Sequence, residues 1–248
     1  MLVHATRSPQ ARTPTQSGLE PAEGLHLLSS CDGDADPFKA CASPADYARR
    51  ALFATTSRLL ACLVNESLVD AFYVGPGTGG VPSHLLLLPR GSSPGASRNR
   101  GSIAVQLRHK PVLGRPPAGQ EASALPQVRL LDPEDIGMGQ WIQSEDAGAM
   151  APVADAGQIM RLVGQWNAYS QASVAALCSE LASSTSHQTH AYMHRRPDPD
   201  IKTSKAIEWE QSIVEGHATH PMHRARHAEP PLAPVDPNTE LNQLQLAF

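Results

Sequence analysis

Two long stretches of the chain carry side chains at helical spacing, and the first is residues 43–69. Its inward face is marked by Leu52, Thr56, Leu59, Leu60 and Leu63. This spacing predicts an amphipathic helix. Ser43 suits the N-cap, Pro44 suits the first helical position, and Asp46 stands where an acid completes a capping box. The expected polar flank carries Arg49, Arg50 and Arg58.

The second stretch predicts one long helix over residues 155–181. Its face is formed by Ile159, Leu162, Val163, Trp166, Ser170, Val174, Leu177 and Leu181. Residues 183–203 are polar and contain two prolines, so they predict a loop. A short third helix is expected over residues 203–215, because Gly216 stands where a helix C-terminus favours a left-handed residue.

Between the two long helices lie short runs typical of β-strands. Residues 84–88, 103–107 and 127–131 are each bounded by Pro, Gly or Ser, and their lengths suit strands. The intervening residues 89–101 and 113–126 read as loops. We therefore expect a three-stranded antiparallel meander packed on the first helix.

These elements predict an α+β fold, with two long helices packed on a small antiparallel sheet. Residues 1–42 hold few large apolar side chains and no sustained period, so a disordered N-terminal tail is expected. Residues 1–18 contain two arginines and no acid, which leaves a targeting segment as the alternative. Residues 43–200 would form the α+β lobe, followed by a loop-rich C-terminal end.

Charge and cysteine usage narrow the classes of partner. The formal net charge is −4, which argues against a dedicated nucleic-acid binder. The longest apolar run, Leu59–Val64, is far too short to cross a membrane. Four scattered cysteines indicate a reduced, cytoplasmic compartment: Cys31, Cys41, Cys62 and Cys178. The expected partners are small molecules.

The glycine-rich run Gly75–Gly80 matches the G-x-G-x-x-G pattern of nucleotide-binding turns. That pattern is informative only between a strand and a helix N-terminus. Here it is expected to follow a helix, Pro82 comes just after it, and no Lys-Ser/Thr pair completes a P-loop. A surface loop is the favoured interpretation.

Histidines cluster in the C-terminal third of the chain. The cluster comprises His187, His190, His194, His217, His220, His223 and His227. A transition-metal site would need three or four converging ligands. However, no cysteine lies within the cluster, Pro221 interrupts it, and its spacing fits no recognised zinc pattern. A non-catalytic metal-binding module remains the alternative function.

The most informative segment is residues 208–226. A helix ends at Gly216, a turn follows, and imidazole and guanidinium groups come next. Arg in particular gives forked hydrogen bonds to phosphate or carboxylate. An anion site and a solvated basic loop are both consistent with this chemistry. The candidate binding residues are Gly216, His217, His220, Arg224 and Arg226.

This segment resembles the signature of the NRPS-independent siderophore (NIS) synthetases, the aerobactin-synthetase or IucA/IucC family. That signature typically reads E-Q-x-(L/V)-x-x-G-H-P-x-H-P-x-x-K-x-R-x-G. The matching residues are Glu210, Gln211, Ile213, Gly216, His217, His220, Pro221 and Arg226. The departures are Ala218 for the first Pro, Arg224 for Lys, and Ala228 for the final Gly. The upstream order, an Arg-bearing helix, strands and a long helix, is also similar.

The resemblance implies an ATP-dependent ligase that uses Mg²⁺. Such enzymes activate citrate or a similar polycarboxylate as an acyl-adenylate, which an amine, hydroxylamine or alcohol then attacks. By the same resemblance, His217 and His220 would contact phosphate or the acyl-adenylate, and Arg224 and Arg226 would neutralise charge. Gly216 would allow close backbone approach. A homodimer is implied for the full-length family.

Members of this family are much longer than 248 residues. By the resemblance, residues 43–200 correspond to an N-terminal lobe, and residues 201–248 to a truncated start of the ATP-binding synthetase domain. Little ligase activity is therefore expected from the chain alone. A mostly disordered chain without its own activity is the third interpretation, beside the ligase and the metal-binding module.

Overall fold

The structure is a computed structural model, and it describes seven segments of the chain. These are residues 43–76, 82–92, 100–114, 125–143, 149–195, 199–215 and 219–225. The N-terminal tail expected over residues 1–42 lies outside the described residues. Within them, helices pack on an antiparallel sheet, which confirms the α+β fold.

The described residues form one sheet of six strands. The strands are β1 (Val69–Val74), β2 (His84–Pro89), β3 (Ser102–Leu107), β4 (Gln127–Val128), β5 (Ile136–Gln143) and β6 (Ala151–Pro152). Their order across the sheet is β4-β1-β2-β3-β5-β6, and every neighbouring pair is antiparallel.

The predicted three-stranded meander is only partly correct. Residues 84–88 and 103–107 are adjacent strands, as expected. The third run is shortened to Gln127–Val128, and it pairs with β1 at the opposite side of β2. Strand β5 pairs with β3 in its place, with Ile103 opposite Ile142.

Strand β5 was missed because two glycines interrupt its alternation. A side chain at Gly137 would press against Gln106, where the register of β3 and β5 shifts between Val105 and Leu107. A side chain at Gly139 would meet the ring of Trp141. Both glycines therefore make room for large neighbours, which a strand pattern read from the sequence does not reveal.

Four helices complete the described fold. They are α1 (Pro44–Asn65), α2 (Ala156–Trp166), α3 (Gln171–Met193) and α4 (Ala206–Ser212). The start of α1 is as predicted: the Ser43 hydroxyl accepts from the backbone N–H of Asp46, and the Asp46 carboxylate accepts from the backbone N–H of Ser43. Both halves of the capping box are present.

The prediction of one helix over 155–181, followed by a loop over 183–203, is wrong. The helix breaks after Trp166, where Ala168 adopts a φ of +52°, and Ser170 caps a new helix. Helix α3 then continues to Met193. The second half of α3 carries polar side chains that form hydrogen bonds with neighbouring elements, as the Thr185–Thr55 hydroxyl pair at 3.2 Å illustrates.

The short third helix is confirmed, but it is shorter than predicted and runs only from Ala206 to Ser212. Its C-cap is Ile213, so the prediction that the helix ends at Gly216 is wrong.

The glycine-rich run at 75–80 comes after strand β1 in the chain, whereas the sequence predicts that it follows a helix. Residues 77–80 of this run lie outside the described residues. The G-x-G-x-x-G turn and the P-loop each lead from a strand into a helix, whereas the next described element after this run is a strand. The described cysteines, Cys62 and Cys178, are free thiols.

The hydrophobic core lies between the sheet and the helices. Its buried side chains include Leu59, Leu60, Leu63, Val64, Leu85, Leu87, Ile103, Val105, Ile136, Ile159, Val163 and Leu181. Helices α1, α2 and α3 contact one another. Among the described residues, no helix is both long and apolar enough to span a bilayer.

Candidate functional site

The structure describes both sides of the predicted signature turn. On one side are Ile213, Val214 and Glu215, and on the other are residues 219–225. His220 and Arg224 are therefore placed, whereas Gly216, His217 and Arg226 lie outside the described residues. The two described sides come together against α1 and α3, through the contacts given below.

Glu215 is the centre of a partly buried polar cluster. Its carboxylate accepts hydrogen bonds from Arg50 Nη2 at 3.1 Å, Arg58 Nη2 at 2.9 Å and the Tyr192 hydroxyl at 2.8 Å. Arg58 Nη2 also donates to the backbone carbonyl of Glu215 at 2.9 Å. Helix α1 thus supplies two guanidinium groups, and α3 supplies the phenol. We call Arg50, Arg58, Tyr192 and Glu215 the Glu215 cluster.

The neighbouring groups shift the pKa values of Glu215 and Tyr192 in opposite directions. Burial alone would raise the pKa of Glu215, but hydrogen bonds from Tyr192 and Arg50, and the charges of Arg50 and Arg58, outweigh it and lower that pKa. Burial and the neighbouring Glu215 carboxylate raise the pKa of Tyr192 well above its usual value. At neutral pH the cluster is therefore one carboxylate, two guanidinium groups and a protonated phenol.

Arg224 closes the base of the signature turn. Its Nε donates to Gln188 Oε1 at 2.8 Å, and its Nη2 donates to the carbonyl of Val214 at 2.6 Å. Gln188 Nε2 donates to the same carbonyl at 2.9 Å. Arg224 therefore joins the two described sides of the turn to each other and to α3. This is a structural use of the residue that the sequence predicts to neutralise ligand charge.

The segment 219–225 is fixed by its own short turn and by α3. Ser184 donates to the carbonyl of Pro221 at 3.2 Å. The backbone N–H of Met222 donates to His220 Nδ1 at 3.2 Å. A neutral His220 ring then carries its hydrogen on Nε2, the form that can donate to an anionic oxygen. His220 itself is exposed.

His223 lies on the inner side of this segment. Its Nδ1 and the carbonyl of His220 are 3.1 Å apart, and its Nε2 is buried without a partner among the described residues. Burial, followed by the positive charges of Arg58 and Arg224, lowers the pKa of His223 to about 4. His223 is therefore neutral at physiological pH, and the positive charge of the site comes from arginines.

This arrangement suits an anion better than a metal ion. The guanidinium groups of Arg50 and Arg58 both contact the one carboxylate of the Glu215 cluster, so the cluster has an excess of positive charge. Arg224 adds a third guanidinium group that bonds Gln188 and Val214 instead of the carboxylate. No three His, Cys, Asp or Glu side chains within the described segments could hold a metal ion. His190 and His194 stack on each other at 4.0 Å between ring centres, and His187 bonds the carbonyl of Ser183.

The sequence predicts the signature turn as a site, but it does not predict the residues of α1 and α3 that contact Glu215. Arg50 and Arg58 were expected on the polar flank of α1, yet the side chain of Arg58 is only 7% exposed. Tyr192 lies in the stretch that was predicted to be a loop. One signal was available: Arg58 sits beside Leu59 and Leu60 on the helix, where a charged residue needs a buried partner.

The fold and the site define an α+β protein in which arginines of the first helix hold Glu215. Helix α3 holds the neighbouring segment that carries His220 and Arg224. A Rhizopus delemar protein named NRPS-independent siderophore synthetase rfs is 29% identical over 226 residues, covering 76% of this chain and 36% of that protein. An Aspergillus thermomutatus protein named NRPS-independent siderophore synthetase-like protein ankE is 42% identical over 45 residues, covering 18% of this chain and 8% of that protein. No family model matches the chain.

The resemblance to NIS synthetases that the signature indicates is thus confirmed by one relative that bears that name and a second that is named as synthetase-like. The matched part of the chain spans little more than a third of the length of the Rhizopus protein.

Proposed function

We propose that this chain serves siderophore biosynthesis as part of an ATP-dependent ligase that adenylates citrate or a similar polycarboxylate. The observation that carries the proposal is the anchoring of the signature turn on a cationic cluster, with Glu215 held by Arg50, Arg58 and Tyr192. The relatives named as siderophore synthetases support it.

The chemistry explains why cations belong here. In an adenylation step, a carboxylate oxygen attacks the α-phosphorus of ATP and pyrophosphate leaves, so negative charge grows on the phosphate oxygens. Preorganised donors aimed at those oxygens stabilise the transition state. We assign this contact to His220, together with His217 and Arg226. Arg224 supports the turn through Val214 and Gln188.

The described residues fit an anionic nucleotide better than they fit a protein-held metal. Mg²⁺ commonly binds through phosphate oxygens, waters and only one or two carboxylates. No group of three metal-ligating side chains occurs in the described part of the chain, so Mg²⁺ would be held chiefly by ATP. When bound, it would neutralise phosphate charge.

Calorimetry of ATP binding in the presence of Mg²⁺ tests the proposal. We expect the folded chain to bind, and His220→Ala to weaken binding about tenfold or more, the loss of one charge-assisted hydrogen bond. His109→Ala is the matched control, since His109 is 72% exposed and pairs with Asp135 outside the site. Citrate-dependent exchange of pyrophosphate into ATP tests the reaction class. A folded chain that does not bind ATP would contradict the proposal.

A further inference from the structure

Arg58 is an unusual residue to find inside a small core. Its side chain is 7% exposed, and its Nη1 is buried with no partner among the described residues. Burying a guanidinium is costly, and apolar side chains at such positions often give equal or better stability. Packing alone therefore does not account for Arg58, and its contacts indicate a more specific role.

Arg58 contacts both the backbone and the side chain of Glu215. Arg58 Nη2 donates to both the backbone carbonyl and the carboxylate of Glu215, each at 2.9 Å. The buried Tyr192 hydroxyl holds the same carboxylate at 2.8 Å. Both the main chain and the side chain of Glu215 are thereby set relative to α1 and α3.

The position of Glu215 is passed on to the segment that carries His220. Val214, the preceding residue, offers its carbonyl to Arg224 and to Gln188. Arg224 in turn places its backbone N–H 3.4 Å from Ser184 Oγ on α3. A shift at residue 215 would therefore move the acceptor on which Arg224 depends, and with it residues 219–225.

We propose that Arg58 and Tyr192 are positioning residues which act through Glu215 to hold residues 219–225, and hence His220, in the geometry that receives the anionic ligand. This inference rests on the proposed function, but it assigns a role to side chains on α1 and α3 that lie outside the signature.

Two conservative variants test it on the full chain. Arg58→Lys keeps the charge but replaces the guanidinium fork with a single ammonium, and Tyr192→Phe removes only the hydroxyl. Their matched controls are Arg49→Lys, at a side chain 62% exposed, and Tyr169→Phe, at an exposed tyrosine. Each variant is compared by thermal unfolding, by ATP affinity with Mg²⁺, and by amide hydrogen exchange.

We expect Arg58→Lys and Tyr192→Phe to weaken ATP binding by the folded protein about tenfold, with both controls within twofold of wild type. The amides of Met222, Arg224 and Ala225 should exchange about tenfold faster, while amides of α2 should not change. Combining Tyr192→Phe with Glu215→Gln should add little to either single effect, because both act through the same carboxylate.

Three results would either overturn the positioning role of Arg58 and Tyr192 or distinguish its failure from that of the proposed function. A lower melting temperature with unchanged ATP affinity and unchanged exchange at Met222, Arg224 and Ala225 would reduce Arg58 and Tyr192 to a purely structural role. Variants indistinguishable from wild type would also overturn the inference. If wild type binds no ATP, the proposed function fails, and the exchange of residues 219–225 alone then decides whether the positioning contacts exist.

Discussion

A single nitrogen of Arg58, Nη2, lies 2.9 Å from the carbonyl oxygen of Glu215 and 2.9 Å from its carboxylate, although 157 residues separate the two. This bifurcated contact joins the first helix to the residue that directly precedes the signature glycine. The helix and the signature turn are therefore structurally coupled, and a substitution in one should alter the conformation of the other.

The Glu215 carboxylate should stabilise the fold only while it is ionised. Its lowered pKa means that its contribution is present above the unfolded value near 4.5 and disappears as the pH falls through the folded pKa. Glu215→Gln should therefore lower the free energy of unfolding by about 1 kcal/mol at pH 7, a small value because the side chain is 45% exposed and screened by solvent. Urea unfolding at pH 7 and at a series of pH values below 4.5 measures the difference, which should shrink steadily as the pH falls and the carboxylate is protonated.

His223 should stay neutral until the solution is distinctly acidic. Its pKa lies at about 4 in the fold, compared with an ordinary value of 6.5. Because the unfolded chain binds the proton more tightly, His223 stabilises the fold above pH 6.5 and this contribution is lost as the pH falls from 6.5 towards 4. NMR titration of the imidazole protons, with His223→Gln to assign the signal, measures the pKa. A midpoint between 6 and 7 would contradict the burial of His223 close to the positive charges of Arg58 and Arg224.

Arg224→Lys tests whether the departure from the family signature has structural consequences. Lysine cannot reproduce the fork that reaches Gln188 and Val214 together, so at least one acceptor should lose its partner. We expect the free energy of unfolding to fall by about 1–2 kcal/mol. Arg129→Lys is the control, since Arg129 makes one long exposed contact at 3.4 Å. Equal stability of Arg224→Lys and wild type would show that an ammonium suffices.

The packing of α2 on α3 depends on the absence of a side chain at Gly164. A Cβ there would lie 2.5 Å from Val174 Cγ2. Gly164→Ala should therefore destabilise the protein by about 1–2 kcal/mol, since overpacking outweighs the better helix propensity of alanine. Val174→Ala should relieve the clash, so the double variant should be more stable than Gly164→Ala. Chemical unfolding of all four proteins completes the cycle, and simple additivity would refute the contact.

The start of α1 could be predicted because its determinants are local. Ser43, Pro44 and Asp46 act on backbone groups within one turn, and the structure contains that capping box. The division of α2 from α3 was missed because the chain turns at Ala168, an alanine with positive φ, where no glycine marks the break. The sequence does not predict the second half of α3 because polar side chains there, such as Gln188, find their hydrogen-bond partners far along the chain.

Some residues of the candidate site could also be predicted from local sequence, whereas others could not. His220 and Arg224 lie in a contiguous motif, so the sequence alone could propose them. Arg58 and Tyr192 belong to the site only through Glu215, and nothing in the spacing of a single sequence relates residue 58 to residue 215. A buried charge shows itself in the sequence as an irregularity in an apolar face, and its partner becomes visible only in three dimensions.

The long separation within the Glu215 cluster also orders events during folding. Helix α1 has strong local signals and can form early, whereas Arg50 and Arg58 must wait for a carboxylate that lies 165 and 157 residues further along the chain. Until it arrives, water has to solvate the two guanidinium groups, because an unpaired buried charge is too costly. We therefore expect the last dehydration of this helix face to coincide with the docking of the signature turn, late in folding.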